Sequence, residues 1–475
     1  MAHIAIIGGG IAGLATAYYL QKKREVTGAS LDYTLIESDT RFGGKIITRT
    51  IDDFVIEGGP DSLVTTKPWG VALCRELGLD NELIPTNDYK RGIFVLNKGK
   101  LVEFPGGFRL TIPTEFVPFA VSPLISPLGK LRMGLDLFIH PRQETGDESL
   151  ASFVRRRLGQ EALDKIAGPM MAGIYMADPE RMSIQSTFPQ FLEMERQHGS
   201  LIKAMQRAKK NRPVNGAANG KPQPMFLSLK GGLNDLVKAL VSRLEGRLCL
   251  GQRVAAIRST NPGFEIRFDD VSQPPITADA VVLAVPAYTA AQLVESFLPP
   301  LAQLLAKIRY VSTATISLGY RRADVIDQHN FGGFGFLIPK SEKRKLAACT
   351  WTSTKFDGRA PNNDILLRAF VGGDGQEKVV KLPDNELLSL VRAEIADLMG
   401  VTAKPIICQI FRWVKGNPQY DVDHLARVEQ MKEIAQQATG LYLTGSAYLG
   451  IGIPDCVKDA MLTTDSIFEQ LNSNA

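Results

Sequence analysis

The chain opens on a short apolar run that turns at once into glycines: MAHIAIIGGGIAGLATAYYL. His3–Ile7 has the length and β-branching of a buried parallel strand, and Ile11–Leu20 reads as the helix after it. Gly8, Gly10 and Gly13 lie between and across them at G-x-G-x-x-G spacing. The first glycine of such a set permits a tight turn, the second lets backbone approach a pyrophosphate, and the third lets the helix pack closely on the sheet. The first N–H groups of the helix are then left facing the phosphates. A second apolar run, Asp32–Ile36, ends in Glu37, 24 residues after Gly13, where a carboxylate can accept hydrogen bonds from ribose hydroxyls. Together these features predict a dinucleotide on a Rossmann-type α/β unit.

The residues that follow narrow the choice of dinucleotide. Arg41-Phe42-Gly43-Gly44-Lys45 is succeeded by Glu57-Gly58-Gly59-Pro60-Asp61. The glycine pairs allow more backbone to close over a cofactor, and Arg41 and Lys45 can counter phosphate charge. The E-x-x-x-R-x-G-G string resembles the second half of the FAD fingerprint of amine-oxidase-like flavoproteins. That resemblance implies FAD along Gly43, Gly44, Lys45, Gly58, Gly59, Pro60 and Asp61. Two later segments are similar to the family's other flavin motifs. In Leu248–Ala287, Leu248-Cys249-Leu250, Gln252-Arg253-Val254, Phe264–Phe268 and Ala280–Val285 read as strands. The position matching Val254 meets the adenine end through its backbone. In Leu441–Ala460 a strand and a glycine-rich turn lead into a helix starting around Ile453–Asp455. Here Gly445, Gly452, Ile453 and Val457 match the motif whose helix N-terminus faces the pyrimidine side of the flavin. Ala460 stands where the family has a glycine.

A chain of 475 residues has room for two or three domains, and 44% hydrophobic with 22% charged residues is ordinary for a globular protein. The net charge of +5 is too small to suggest nucleic acid, and no zinc-finger or RNA-binding pattern accompanies it. Five scattered cysteines, never spaced C-x-x-C, point to a reducing compartment and away from a disulfide framework or a metal site. His3, His140, His198, His329 and His424 form no triad-like or metal-like grouping and read as structural or surface residues. With a strand starting at His3 and no apolar stretch of spanning length, a cytoplasmic protein is expected.

The FAD domain is expected to be assembled from separated pieces, 1–95, 221–290 and 411–475, around a helical unit at 96–220 and an α+β substrate-binding domain at 291–410. Phe104–Pro141 is rich in Pro, Phe and Leu, with Lys130 and Arg132 after its most apolar part. It reads either as buried helical hairpins or as an apolar face turned to the inner surface of the cell membrane. Ala208–Pro222 reads as a polar surface loop.

Three segments outside the flavin motifs resemble one family, the oxygen-dependent protoporphyrinogen and coproporphyrinogen oxidases of haem biosynthesis. They are GPMMAGIYMADPERMS at Gly168–Ser183, GGFGFLIP at Gly332–Pro339 followed by LLRAFVGG at Leu366–Gly373, and RWVKGNPQYDVDH at Arg412–His424. The resemblance implies a porphyrinogen substrate, non-covalent FAD, molecular oxygen as acceptor and hydrogen peroxide as product. Phe334 and Leu337 correspond to side chains that sandwich the substrate rings, and Gly173 to a backbone carbonyl beside the reacting methylene. Trp413 corresponds to an aromatic residue against the flavin, and Arg91 falls near an arginine that pairs with a propionate. A flat macrocycle needs apolar faces, which Phe334, Leu337 and Ile174 can offer, and its carboxylates need a cation such as Arg91. An amine or polyamine oxidase on the same scaffold, and a non-catalytic protein of the Rab-GDP-dissociation-inhibitor type, are the competing readings. The flavin-attachment cysteine string of monoamine oxidases is missing, and the complete glycine set argues against lost catalysis.

Overall fold

The structure, a computed structural model, describes residues 1–90, 92–105, 108–109, 112–113, 121–144, 146–210 and 224–473. Along the chain the elements that position the site are β1 (Ala2–Ile7), α1 (Ile11–Thr27), β2 (Leu31–Ile36), β3 (Ile93–Asn97) and β4 (Lys100–Glu103). Next come α2 (Pro127–Gly134), α3 (Leu150–Leu158), α4 (Gly168–Tyr175), β5 (Arg247–Cys249), β6 (Ala280–Leu283), β7 (Tyr310–Tyr320) and β8 (Gly335–Leu337). The last are β9 (Leu346–Trp351), β10 (Ile365–Gly372), α5 (Asp384–Met399), β11 (Ile407–Pro418), β12 (Leu441–Leu443) and α6 (Ile453–Ser473).

Five short strands form an all-parallel sheet in the order β5-β2-β1-β6-β12. Buried on both faces, they carry near-continuous apolar runs rather than alternation, as parallel strands do. One face packs on α1 and α6 through Ile4, Ile6, Leu35 and Val282; the other packs on helices around Ala290, Leu301 and Met431 through Ile7, Val281 and Leu283. Every flavin motif therefore ends up at the carboxyl edge of this sheet, the edge where open α/β sheets bind ligands.

The second sheet has seven strands in the order β11-β7-β10-β9-β8-β3-β4. Its alternation is strict. Ala314, Ile316, Leu318, Leu367, Ala369 and Val371 point to one face and form a core with Leu387, Val391 and Ile395 of α5. The registers Thr313–Trp413, Thr315–Phe370, Ser317–Arg368, Arg368–Thr350 and Ala348–Leu337 place Trp413, Thr313, Thr315, Arg368, Phe370 and Leu337 on the opposite face.

Pairing divides the chain differently from composition. β3 and β4 lie at the edge of the substrate sheet, not in the FAD domain or the helical unit, and β11 belongs to that sheet as far as Pro418. Hydrogen-bond partners across hundreds of residues decide this, and composition carries no trace of them. Gln252 and Arg253 lie outside the strand that begins at Val254 and runs to Ser259, and Ala208–Lys210 complete a helix, Leu201–Lys210. The remainder of the Ala208–Pro222 reading lies outside the described residues.

The helical unit has its own core, with Leu124, Ile125, Met133, Phe153, Met171, Met182 and Phe191. α2 starts where its sequence directs: the Ser126 hydroxyl accepts the Gly129 N–H at 3.0 Å, and Pro127 fills the first helical position. Its other side is bare. Leu128, Leu131, Leu135 and Phe138, spaced three, four and three residues apart, are 51–79% exposed. The turn that carries them is fixed from behind by Asp136, which is fully buried and pairs with Arg157 at 2.5 Å and with the Ser200 hydroxyl at 2.6 Å. Lys130 and Arg132 are turned inward to backbone, Lys130 to the Ser122 carbonyl and Arg132 to those of Arg155, Arg156 and Arg157. Among the described residues no helix is long and apolar enough to cross a membrane.

Candidate active site

The first turn is built for close backbone approach. Gly8 has φ +109°, and a Cβ on Gly13 would sit 1.9 Å from the Gly8 carbonyl oxygen, so neither position accepts a side chain. Glu37 Oε2 accepts the Gly9 N–H at 2.6 Å and Oε1 accepts the Asp39 N–H at 2.8 Å, which fixes the carboxylate beside the glycine turn. The Gly43–Gly44 segment then folds back onto it, with the Gly43 N–H donating to Gly9 O at 2.8 Å and a bridge pairing Gly10 with Gly43. A backbone-lined cradle with a carboxylate at the end of the second strand fits a dinucleotide, and FAD in particular where the second glycine loop closes over it.

Arg41 closes its own loop. Its donors go to the carbonyls of Phe42, Gly44 and Ile46, so it shapes the loop. Lys45 is drawn inside, and burial lowers its pKa. Its backbone supports the next motif, because a Cβ on Gly59 would lie 1.8 Å from the Lys45 carbonyl oxygen.

The Gly58–Gly59 loop is held from the substrate sheet. Trp413 Nε1 donates to Gly58 O at 2.9 Å and Thr315 Oγ1 donates to the same carbonyl at 3.0 Å, while Arg368 Nη2 donates to Gly59 O. Trp413 thus lies against the Gly58–Gly59 loop through its N–H. Pro60 leads into Asp61, which pairs with Lys355 at 2.9 Å and accepts the Ser62 hydroxyl at 2.7 Å. Burial alone would raise the Asp61 carboxyl; Lys355 and Arg368 overcome it and hold the group well below the usual carboxylate range.

On the C-terminal side Gly445, at φ +122°, donates its N–H to Asp459 at 2.9 Å, and Thr444 donates its hydroxyl to the same oxygen at 2.9 Å. Gly452 immediately precedes α6 and accepts the Cys456 N–H. Ile453 and Val457 turn their side chains into the core of the FAD unit, so only backbone at this helix start is left to face a ligand. Val254 begins its strand at a bulge opposite Phe268. The PQY…H string braces these loops: the Tyr420 hydroxyl donates to Ser446 O at 2.8 Å, and His424 Nε2 contacts Tyr448 O at 2.9 Å.

Of the residues expected at the substrate, Gly173 and Leu337 are brought together: a Cβ on Gly173 would lie 2.6 Å from Leu337 Cδ2. Phe334 is half-buried just before β8, its N–H bonded to Gly92 O at 2.6 Å, whereas Phe336 two residues on is buried in the core. The backbone of Ile174 lies in α4; its side chain, like the whole of Arg91, lies outside the described residues. Thr315, Arg368, Phe370 and Asp459 were not singled out from sequence, although LLRAFVGG had marked the strand that carries two of them.

The model of the flavin-containing amine oxidoreductases matches residues 11–467. The chain belongs to that family. It is similar to the coproporphyrinogen III oxidase of Bacillus subtilis (strain 168), with 35% identity over 96% of this chain and 95% of the relative. The coproporphyrinogen III oxidase of Staphylococcus aureus (strain NCTC 8325 / PS 47) is 33% identical over 98% and 99%. Chloroplastic protoporphyrinogen oxidase 1 of Arabidopsis thaliana is 28% identical over 96% and 86%. Among solved structures, a candidate protoporphyrinogen oxidase from Exiguobacterium sp. 255-15 aligns at a TM-score of 0.85 and 32% identity, covering 99% of both chains. A putrescine oxidase mutant, at TM-score 0.69 and 16% identity, shares the fold alone. The family is one of flavin oxidoreductases, and FAD is the cofactor of this cradle.

Proposed function

We propose that the chain oxidises coproporphyrinogen III to coproporphyrin III in haem biosynthesis, with non-covalent FAD as the electron carrier and molecular oxygen as the final acceptor. The observation that carries it is the meeting of Gly173 and Leu337 on the sheet face that also holds the Gly58–Gly59 loop. A macrocycle with apolar faces presented there would lie against a flavin held by that loop. The choice of porphyrinogen follows the sequence relatives: the three bacterial coproporphyrinogen III oxidases are 33–35% identical and the plant protoporphyrinogen oxidases 24–28%, while the candidate protoporphyrinogen oxidase of known structure stands at 32%.

FAD supplies hydride acceptance from a methylene bridge of the macrocycle, three times per porphyrin. The protein's own residues do the rest. Leu337 and Phe334 offer apolar surface that excludes water, and Gly173, lacking a side chain, leaves room for the ring edge. Gly173 lies in the last turn of α4, where carbonyls have no intrahelical partner, so its oxygen is available to a pyrrole N–H whose proton must leave. No strong side-chain base is needed for an acidified pyrrole. Cys456 is buried inside α6 with its thiol pushed up to about 12, which disfavours a thiolate link to the flavin.

We infer a peripheral membrane contact from the exposed stripe on α2 and the turn after it. With Lys130 and Arg132 bonded to backbone, the apolar side chains carry that reading rather than the cations.

In air, the purified protein given coproporphyrinogen III should release fluorescent coproporphyrin III and three equivalents of hydrogen peroxide. Porphyrin formed without peroxide would assign the electrons to another acceptor. Acid precipitation should leave yellow flavin in the supernatant; a yellow pellet would contradict non-covalent binding.

A further inference from the structure

Arg368 stands in the middle of β10, on the sheet face that looks toward the Gly58–Gly59 loop, and is 4% exposed. Its register neighbours are Ser317 on β7 and Thr350 on β9, neither of them acidic. Nη2 donates to the Gly59 carbonyl, the guanidinium lies 4.9 Å from the centre of the Phe370 ring, and Nε is buried without a partner. Among the described residues no carboxylate comes within ion-pair distance of it. The two acids near enough to act on it are Asp61 and Glu57; its charge helps keep Asp61 ionised, but neither carboxylate is hydrogen-bonded to it. Asp61 is held by Lys355 and Ser62; Glu57 accepts from the Thr48 hydroxyl and the Leu233 N–H, each at 2.8 Å. A guanidinium taken out of water against one carbonyl and one aromatic ring keeps a desolvation cost that only a counter-charge returns.

We propose that Arg368 receives a carboxylate of the porphyrinogen at the inner wall of the site, and so favours a substrate with carboxylates on all four rings over one with vinyl groups on two. Coproporphyrinogen III carries a propionate on each pyrrole, so whichever edge enters first, at least one carboxylate goes inward. Protoporphyrinogen IX can enter by its vinyl edge, which leaves the buried cation facing hydrocarbon. Rejecting the ligand that fails to pair a buried polar group is a stronger discriminator than rejecting one that merely fits loosely. The proposal rests on the reading of this face as the porphyrinogen site.

The test compares the FAD-loaded wild type, Arg368→Gln and Arg368→Lys on both porphyrinogens, with flavin content measured on each preparation. The wild type should prefer coproporphyrinogen III. Arg368→Gln should lose at least tenfold more in kcat/KM on coproporphyrinogen III, mainly through KM, than on protoporphyrinogen IX, the loss common to both substrates reporting its support of Gly59. Arg368→Lys, which keeps a cation, should recover part of the lost preference. Equal losses on both substrates, or loss of flavin with an unchanged ratio in Arg368→Lys, would make Arg368 only a support for Gly59 and overturn the proposal. A wild type that oxidises both porphyrinogens equally well would overturn it while leaving the porphyrinogen reading intact. A wild type that oxidises neither would overturn that reading itself, and this proposal with it.

Discussion

Gly173 approaches Leu337 so closely that its missing Cβ would sit 2.6 Å from the leucine Cδ2. The two residues belong to different units, α4 of the helical unit and β8 of the seven-stranded sheet, so this contact fixes how closely the two approach. Gly173→Ala should displace the flexible leucine end. We expect kcat/KM for the porphyrinogen to fall by roughly 10–100-fold, on the scale of a misplaced reacting edge, with FAD content unchanged. Steady-state kinetics beside flavin quantitation check it; unchanged turnover would move the substrate away from Gly173.

Phe334 and Phe336 provide an internal control. Phe336 is buried in the sheet core and Phe334 is half-buried just before β8. Phe334→Ala should cost about 2–3 kcal/mol of transition-state stabilisation, roughly 30–150-fold in kcat/KM, while the protein stays folded and yellow. Phe336→Ala should instead leave a cavity costing about 3–5 kcal/mol of stability, with kinetics of the surviving protein near normal. Melting temperature and kcat/KM on the same preparations separate the two, and the reverse pattern would remove Phe334 from the site.

His424 is fully buried, stacked on Tyr420 at 4.0 Å between ring centres, with Nε2 against the Tyr448 carbonyl. Burial pulls its pKa down to about 4 from 6.5, outweighing the Tyr448 carbonyl, which favours the charged ring. Between those pH values the unfolded chain binds the proton and the folded one does not, so this stability is present above pH 6.5 and is lost as pH falls toward 4. The loss should reach about 3 kcal/mol. Unfolding of wild type and His424→Gln across pH 4–7 measures it: the variant should show a shallower dependence over that window, and parallel curves would refute the assignment.

The stripe of Leu128, Leu131, Leu135 and Phe138 predicts flotation with liposomes. Replacing Leu128, Leu131 and Phe138 by serine should abolish flotation and leave melting temperature and turnover unchanged, since all three are exposed. Because Lys130 and Arg132 are engaged with backbone, raising the salt should weaken binding less than the triple substitution does. A wild type that ignores vesicles at low salt would end the proposal.

The parts of this site that could be read from sequence were those whose chemistry is local. Gly8, Gly13 and Glu37 are placed by one turn and one strand end, so spacing alone located them. The loop-closing bonds of Arg41 could not be read, because its charge suggests a phosphate while its carbonyl partners are set by how the loop folds. Arg368 went unassigned since its position depends on a register with Ser317 and Thr350, which lie 51 and 18 residues earlier on other strands. The apolar richness of Phe104–Pro141 was visible, but composition states that apolar side chains exist and not whether anything covers them. His424 looked unremarkable for the same reason: burial is a property of neighbours, here Tyr420 and Tyr448.

The central claim, a flavin reduced directly by a porphyrinogen on this sheet face, is tested most directly by anaerobic mixing of the FAD-loaded protein with coproporphyrinogen III in a stopped-flow spectrometer. The account predicts that the yellow flavin bleaches, faster than with protoporphyrinogen IX at equal concentration, and that colour returns when oxygen is admitted. A flavin that stays yellow with both porphyrinogens, in protein shown to be fully loaded, would contradict it.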